Sequence, residues 1–242
     1  MSRILVVSDI HSNWAALSAI REEFDACIVA GDIVDYGTNP LPCIEWVRNN
    51  ATVAVRGNHD HAVAQRVTAR TGSGFRALVA ATRPVHWDLL RPSHMKYLAR
   101  LPVMEQIEID GLKILVVHGT PRDPMDEYLG PDKQAWKNRL EGLDVDLVCV
   151  GHTHHPMYLD LGSTQVINPG SVGQPRDGDS RASYVVIENN EVMFKRVSYD
   201  INETIKNMYA NGVDEWAIEL TEQILRSGGH PDSINAIGDG EF

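Results

Sequence analysis

The sequence contains only three cysteines, at positions 27, 43 and 149, and no two of them are close together. A disulfide framework and a thiolate zinc site both require cysteines at short, regular spacings, so neither is expected. Cys27 and Cys149 lie inside apolar segments, which is typical of small buried side chains. The sparse cysteines therefore favour a reducing compartment, and we expect the cytoplasm.

Long hydrophobic segments and an excess of positive charge are also missing. No apolar segment approaches the length that spans a membrane, and residues 1–7 resemble a strand rather than a signal peptide. The formal net charge is -11 at pH 7, which argues against an extended surface for nucleic acid or anionic membrane. A small anionic substrate held by local positive charge is compatible with this balance. The composition does not decide between a monomer and a homo-oligomer.

Three short apolar segments, at 4–7, 26–30 and 52–55, alternate with polar loops and helix-like segments near the start of the chain. The helical spacing of apolar residues predicts helices that begin near Trp14 and Pro40. Strands that alternate with helices form parallel sheets with the helices on their faces. The first 60 residues therefore predict an α/β arrangement.

The later segments divide into a helical part and a strand-rich part. Residues 61–102 lack strand patterns and predict a helical insertion, which is followed by a hairpin that turns at Asp110-Gly111. Strands without intervening helices between 157 and 197 predict a second, mixed or mostly antiparallel sheet. Residues 201–227 predict C-terminal helices. We treat residues 1–242 as a single domain.

A pair of histidines follows the apolar segment that ends at Gly151. His152 and His154 alternate along an extended chain, so their side chains point to the same side. Two imidazoles at the end of a strand suit a divalent metal of borderline softness. A His-x-His pair alone is more often a turn with solvated side chains, because short motifs match by chance.

Similar polar residues follow the other predicted strands. Ligands bind in the crevice at the carboxyl ends of the strands of an α/β sheet, so these side chains are expected to meet there. The seven that can bind metal are Asp9, His11, Asp32, Asn58, His118, His152 and His154. This set exceeds the needs of one ion and suits two ions that share a carboxylate. The lack of thiolates favours Mn, Fe, Zn, Ni or Co.

Five short motifs resemble the signature motifs of the calcineurin-like metallophosphoesterase superfamily, and they occur in that family's order. They are Asp9-x-His11, Gly31-Asp32-x-x-Asp35, Gly57-Asn58-His59-Asp60, His118-Gly119 and Gly151-His152-x-His154. The segment 168–173 resembles a further motif of the family's small bacterial and archaeal phosphodiesterase branch. Each motif is weak alone, whereas five in order at strand ends form a specific pattern.

The resemblance implies a four-layer α/β/β/α sandwich of two mixed sheets with flanking helices, and it implies a ligand set. The first ion would be bound by Asp9, His11 and His154, the second by Asn58, His118 and His152, with Asp32 bridging.

Further roles follow for residues beside the ligands. The resemblance implies that His59 is the general acid or a phosphate-stabilising group, with Asp60 orienting it. Asp35 is either an outer partner of a ligand histidine, which we favour, or a turn residue. Arg176 follows the last motif and is a candidate for binding a phosphate oxygen of the substrate, although an ordinary surface position is almost as well supported.

The implied activity is hydrolysis of a phosphodiester by attack of a metal-bridging hydroxide, with two divalent transition metal ions such as manganese as cofactors. The same metals would serve a phosphomonoesterase or a diadenosine tetraphosphate hydrolase-like activity. A non-catalytic protein-binding scaffold is a further alternative, since the superfamily includes a retromer subunit of that kind. His59 and the complete ligand set favour the enzyme, because a scaffold needs no protonatable group beside two metals.

Overall fold

Two five-stranded sheets form the centre of the computed structural model, which describes residues 2–70 and 72–229. The strands are β1 (Ile4–Val7), β2 (Ala26–Val29), β3 (Val53–Ala54), β4 (Met104–Ile109), β5 (Leu112–Val117), β6 (Leu147–Cys149), β7 (Pro156–Asp160), β8 (Gln165–Pro169), β9 (Ala182–Glu188) and β10 (Glu191–Val197). The helices are α1 (Trp14–Ala19), α2 (Pro40–Asn50), α3 (Asn58–Ala64), α4 (Gly74–Leu89), α5 (Pro92–Arg100), α6 (Lys133–Arg139), α7 (Ile201–Ala210) and α8 (Glu215–Ser227). Within the described ranges, no helix is long and apolar enough to cross a membrane.

The first sheet has the order β10-β9-β1-β2-β3, and the second has the order β4-β5-β6-β8-β7. Strands β1, β2 and β3 run parallel, as the alternation of strands and helices predicted, and so do β5, β6 and β8. The hairpin of β4 and β5 and the remaining pairs are antiparallel, so both sheets are mixed.

Strands β9 and β10 differ from the prediction, which grouped all strands after residue 156 in the second sheet. They extend the first sheet instead, where β9 pairs antiparallel with β1 and Ile187 lies opposite Ile4. Strand β9 is buried along almost its whole length because it lies between two strands and between two layers. An apolar strand of this kind fits the interior of either sheet, so its own sequence does not specify its partner.

Alternating side chains of β1 show how the layers are held together. Ile4 and Val6 point into the core between the two sheets, whereas Leu5 and Val7 point into the core beneath the helices that cover the first sheet. The outer face of the second sheet packs on α6, where Trp136 is fully buried. These contacts confirm the predicted four-layer α/β/β/α sandwich.

The helical insertion is tied to the C-terminal helices. Leu78 of α4 packs with Met208 of α7 and Ile218 of α8 in a separate buried cluster. Tyr36, from the loop after β2, belongs to the same cluster. The insertion therefore lies against the carboxyl ends of the strands rather than apart from the sheets.

Candidate metal centre

Six of the seven predicted ligands meet in two buried clusters at the carboxyl ends of the strands. They are Asp9, His11 and His154 in the first cluster, and Asp32, His118 and His152 in the second. Within each cluster, the atoms available for binding lie within 4.8 Å of one another. The acidic members follow strands of the first sheet and most of the histidines follow strands of the second, so each cluster joins the two sheets.

The Asp32 carboxylate lies between the two clusters. Its Oδ2 atom is 3.1 Å from Nε2 of His118, in its own cluster, and 3.9 Å from Nε2 of His11, in the other. Its Oδ1 atom accepts a hydrogen bond of 2.9 Å from the backbone N–H of His59. This is the position that a carboxylate shared by two ions requires.

Backbone carbonyl groups fix the direction of the histidine rings. Nδ1 lies between 2.6 and 3.0 Å from a carbonyl oxygen in His11, His118 and His154. A carbonyl oxygen only accepts hydrogen bonds, so Nδ1 carries the proton and Nε2 offers a lone pair to the cluster. In His152 it is Nε2 that lies 3.3 Å from the Asp126 carbonyl oxygen, which leaves Nδ1 available.

Buried polar atoms without partners show that the residues fit metal ions. Asp9 Oδ1, Asn58 Oδ1 and His118 Nε2 are buried and form no hydrogen bond with any described residue. Such atoms are rare in folded proteins and require an explanation, such as an ion. A set of carboxylate, amide and imidazole donors without thiolates suits divalent transition metals. Asn58, at the start of α3, thereby joins the candidate ligands.

The charges of the second cluster also favour a cation. Burial lowers the pKa of His118, but the electrostatic attraction of the Asp32 carboxylate outweighs it and raises that pKa to about 10. Burial, together with the positive charge of His118, lowers the pKa of His152 to about 3. The negative charge of Asp32 therefore attracts positive charge to the centre, and a dication bound there would take the place of a proton on His118.

Five of the ligand residues have left-handed backbone conformations. Their φ angles are 53° at Asp9, 47° at His11, 53° at Asp32, 67° at His152 and 60° at His154. Each such conformation costs on the order of 1–3 kcal/mol in a residue other than glycine and persists only where the surrounding structure enforces it. The strand ends therefore hold the ligand side chains in fixed directions.

His59 lies beside the two clusters. Its ring centroid is 5.1 Å from that of His11, and its Nε2 is 4.0 Å from Asp32 Oδ2. Its Nδ1 donates a hydrogen bond of 2.7 Å to Asp35 Oδ2. Burial lowers the pKa of His59, but Asp32 and Asp35 outweigh it and raise the pKa above its ordinary value. Asp35 therefore binds a histidine of the site, although that histidine is not one of the predicted ligands.

Asp60, which the resemblance suggested to orient His59, has its described hydrogen bonds with backbone groups, whereas the His59 ring is hydrogen-bonded to Asp35. The buried Asp60 carboxylate accepts hydrogen bonds of 2.8–3.2 Å from the backbone N–H groups of Ile33, Val34 and Gly57. Adjacent residues of a helix point in different directions, which keeps the Asp60 side chain away from the His59 ring. Asp60 instead connects the loop after β2 to the first turn of α3.

Two residues of α4 support this arrangement, and sequence reasoning missed both. Arg83 is buried and its Nε donates a hydrogen bond of 2.9 Å to Asp35 Oδ2. His86, which the sequence suggested to be an ordinary histidine, accepts a hydrogen bond of 3.0 Å from the backbone N–H of Asp35. The available signal was their spacing of three residues on one face of an amphipathic helix.

The segment 168–173 braces the loops that carry the ligands. The Asn168 side-chain amide donates a hydrogen bond of 2.6 Å to the Gly151 carbonyl oxygen, and the Ser171 hydroxyl donates one of 2.8 Å to the Asp9 carbonyl oxygen. This segment therefore supports the site without supplying a candidate ligand.

Arg176 lies near the first cluster. Its guanidinium carbon is 4.0 Å from the centre of the Phe75 ring, and its NH2 group donates a hydrogen bond of 2.9 Å to Gln174 Oε1. Burial lowers the pKa of His154, and the positive charge of Arg176 lowers it further. The structure thus brings this arginine within electrostatic range of the proposed ligands.

Gly57 lies against Asp32, and this contact leads to a testable prediction. Its φ angle of -86° suits any residue, but an added Cβ would lie 2.0 Å from Asp32 Oδ1. We expect Gly57→Ala to displace that carboxylate and to weaken metal binding at least about tenfold in a titration of the metal-free protein with Mn²⁺. Gly130→Ala is the control, since a Cβ there meets nothing within 4 Å. Equal affinities in the two variants would contradict the placement of Asp32 as a ligand.

Comparisons with known proteins agree with this geometry. The sequence profile of the calcineurin-like phosphoesterase superfamily domain matches residues 2–191. An uncharacterised protein of Methanocaldococcus jannaschii is 34% identical over 244 residues, which cover 89% of this chain and 95% of that protein. The phosphodiesterase YfcE of Escherichia coli is 24% identical over 205 residues, covering 78% and 89%. A crystal structure of a metallophosphoesterase from Sphaerobacter thermophilus, 33% identical, superposes with a TM-score of 0.78 over 93% of this chain and 98% of that one.

Proposed function

This chain belongs to the calcineurin-like phosphoesterase superfamily, and from that premise we propose that it is a dinuclear metal-dependent phosphodiesterase. The observation that carries the proposal is the position of the Asp32 carboxylate between two buried clusters of aspartate and histidine. A second observation is His59, which points a ring nitrogen toward both clusters while Asp35 holds its other nitrogen. A protein-binding scaffold would need neither arrangement.

Each ion has three proposed ligands of its own, and Asp32 is shared. They are Asp9, His11 and His154 for the first ion and Asn58, His118 and His152 for the second. When bound, two such ions polarise a phosphoryl group and lower the pKa of a water molecule toward neutrality. The donor set suits Mn, Fe, Zn, Ni or Co, and manganese is our first choice for experiments.

His59 is the proposed general acid. With Nδ1 hydrogen-bonded to Asp35, its Nε2 faces the centre and is the atom that would hold a proton for the departing alkoxide. Asp35 keeps the His59 ring in this orientation, and Arg83 in turn donates a hydrogen bond to the Asp35 carboxylate. In this proposal Asp60 positions the start of α3, and with it His59, through the backbone N–H groups that it binds.

We propose that Arg176 binds a phosphate oxygen of the substrate that neither metal ion binds. Its Nε atom is buried without a hydrogen-bond partner among the described residues. Lysine would keep the charge but lose the planar fork that suits phosphate, so we expect Arg176→Lys to raise the KM for bis-p-nitrophenyl phosphate about tenfold. Arg181→Lys is the control, because Arg181 is exposed and pairs with Asp179. An unchanged KM in Arg176→Lys would leave Arg176 an ordinary loop residue.

The proposal that the substrate is a diester rather than a monoester is based on similar proteins and not on the lining of the site. The phosphodiesterase name of the Escherichia coli relative and the motif at 168–173 support it by analogy. The acidic net charge of -11 supports a small substrate rather than a long nucleic acid. We propose the cytoplasm as the setting, because all three cysteines are buried, free thiols.

A hydrolysis screen tests the proposed function. Bis-p-nitrophenyl phosphate, p-nitrophenyl phosphate and diadenosine tetraphosphate would each be incubated with the protein and Mn²⁺, Ni²⁺, Zn²⁺ or Fe²⁺. We expect the diester to be cleaved fastest and a chelator to abolish cleavage. Faster cleavage of the monoester or of the tetraphosphate would replace the diesterase with one of those activities. Two bound metals without any cleavage would support the scaffold.

A further inference from the structure

Tyr128 is an exposed aromatic residue at the edge of the metal centre. Its ring packs on the His152 imidazole, with centroids 3.7 Å apart and planes inclined by 32°. The residue is nevertheless 57% exposed, and within residues 2–70 and 72–229 His152 provides the one ring that packs on it. One aromatic surface beside a proposed ligand is therefore open to solvent.

The backbone on both sides of Tyr128 is held in place. The preceding residue, Glu127, forms a two-pronged ion pair with Arg139 of α6, with distances of 2.6–3.2 Å. The following residue, Leu129, packs into the core between the second sheet and α6. The ring is thus positioned before any ligand arrives, so binding to it requires little ordering of the loop.

Arg176 places a positive charge on the same side of the centre. Its guanidinium group stacks over Phe75, and its positive charge acts on the Tyr128 hydroxyl, where it opposes the rise in pKa that burial causes. A phosphate group held between Arg176 and the two clusters would direct its organic substituent toward the Tyr128 ring. A planar substituent could then lie on the aromatic surface that solvent now covers.

We propose that Tyr128 is the stacking surface for a nucleobase and that the substrates of this site are nucleoside phosphoesters. The inference rests on the proposed function and narrows its substrate class. Every base has a flat face that stacks on tyrosine, and such contacts change affinity by about ten- to hundredfold. The phosphoesters of glycerol or of plain sugars carry no aromatic ring to stack on Tyr128 and would gain less affinity from it.

Two ligands that differ only by a base provide the test. Adenosine 5′-monophosphate and ribose 5-phosphate would be titrated by calorimetry into the manganese-loaded wild type, Tyr128→Ala and Tyr128→Phe proteins. We expect the wild type and Tyr128→Phe to bind the nucleotide at least about tenfold more tightly than the sugar phosphate. In Tyr128→Ala that preference should disappear, through weaker nucleotide binding and unchanged binding of the sugar phosphate. Tyr209→Ala is the matched control, because Tyr209 of α7 is 56% exposed.

The outcomes separate this inference from the proposed function. Equal affinity of the wild type for the two ligands would overturn the inference, and so would an equal loss of both in Tyr128→Ala. Metal content, measured on each variant, shows whether such an equal loss comes from His152. The proposed function fails separately, if the manganese-loaded wild type leaves every phosphoester of the hydrolysis screen intact.

Discussion

If the proposed function holds, replacing Asp32 by alanine is expected to leave the protein without either proposed metal ion and to lower phosphoester hydrolysis by about 10³-fold or more. The reason is its position, since Oδ2 lies 3.1 Å from Nε2 of His118 and 3.9 Å from Nε2 of His11. Loss of a ligand that contacts one ion would weaken the binding of that ion alone, whereas loss of a shared ligand would weaken the binding of both ions. Asp32→Asn should behave in the same way, because a neutral amide lacks the negative charge that two dications would share.

Elemental analysis of the purified variants measures this effect directly. Asp88→Asn is a suitable control, because Asp88 is an exposed residue of α4. The control should retain two ions per chain and its full turnover. Two ions per chain in Asp32→Ala would refute the bridging role.

Replacing His59 by asparagine is expected to lower turnover by about 10²–10⁴-fold, the usual contribution of general acid catalysis, while both ions stay bound. His59 supplies none of the atoms of either cluster, but its Nε2 lies 4.0 Å from the shared carboxylate. The variant therefore separates proton donation from metal binding, which Asp32→Ala cannot do.

Turnover and metal content should be measured together for this variant. His155→Asn is the control, since His155 is exposed and its Nδ1 lies 2.7 Å from the carbonyl oxygen of Thr153 in its own loop. We expect that control to match the wild type in both measurements. A His59→Asn protein with normal turnover would remove His59 from the mechanism.

Local sequence patterns predicted much of the fold. The apolar segment of β1, the start of α1 at Trp14 and the Asp-Gly turn between β4 and β5 all depend on residues close together in the chain. The positions of the candidate ligands followed from one further rule, that parallel strands end at a common edge. The local patterns and the common edge of parallel strands can both be recognised from the amino-acid sequence alone.

Contacts between segments that are distant in the chain could not be predicted from the sequence. The partner of β9 depends on which sheet has a free edge, and the partner of His59 depends on the path of the loop after β2. The spacing of Arg83 and His86 placed them on one face of α4, but a helix pattern does not reveal that Asp35 would pack against that face. Tyr128 lies in none of the sequence motifs, and only its contact with His152 in the structure identifies it as part of the site.

Because each cluster takes ligands from loops of both sheets, an ion bound there would act as a cross-link between the two halves of the sandwich. Unfolding would then have to release the ions, and the free energy of their binding would add to the stability of the native state. The resistance of this protein to heat would accordingly vary with the supply of metal, even when no substrate is present.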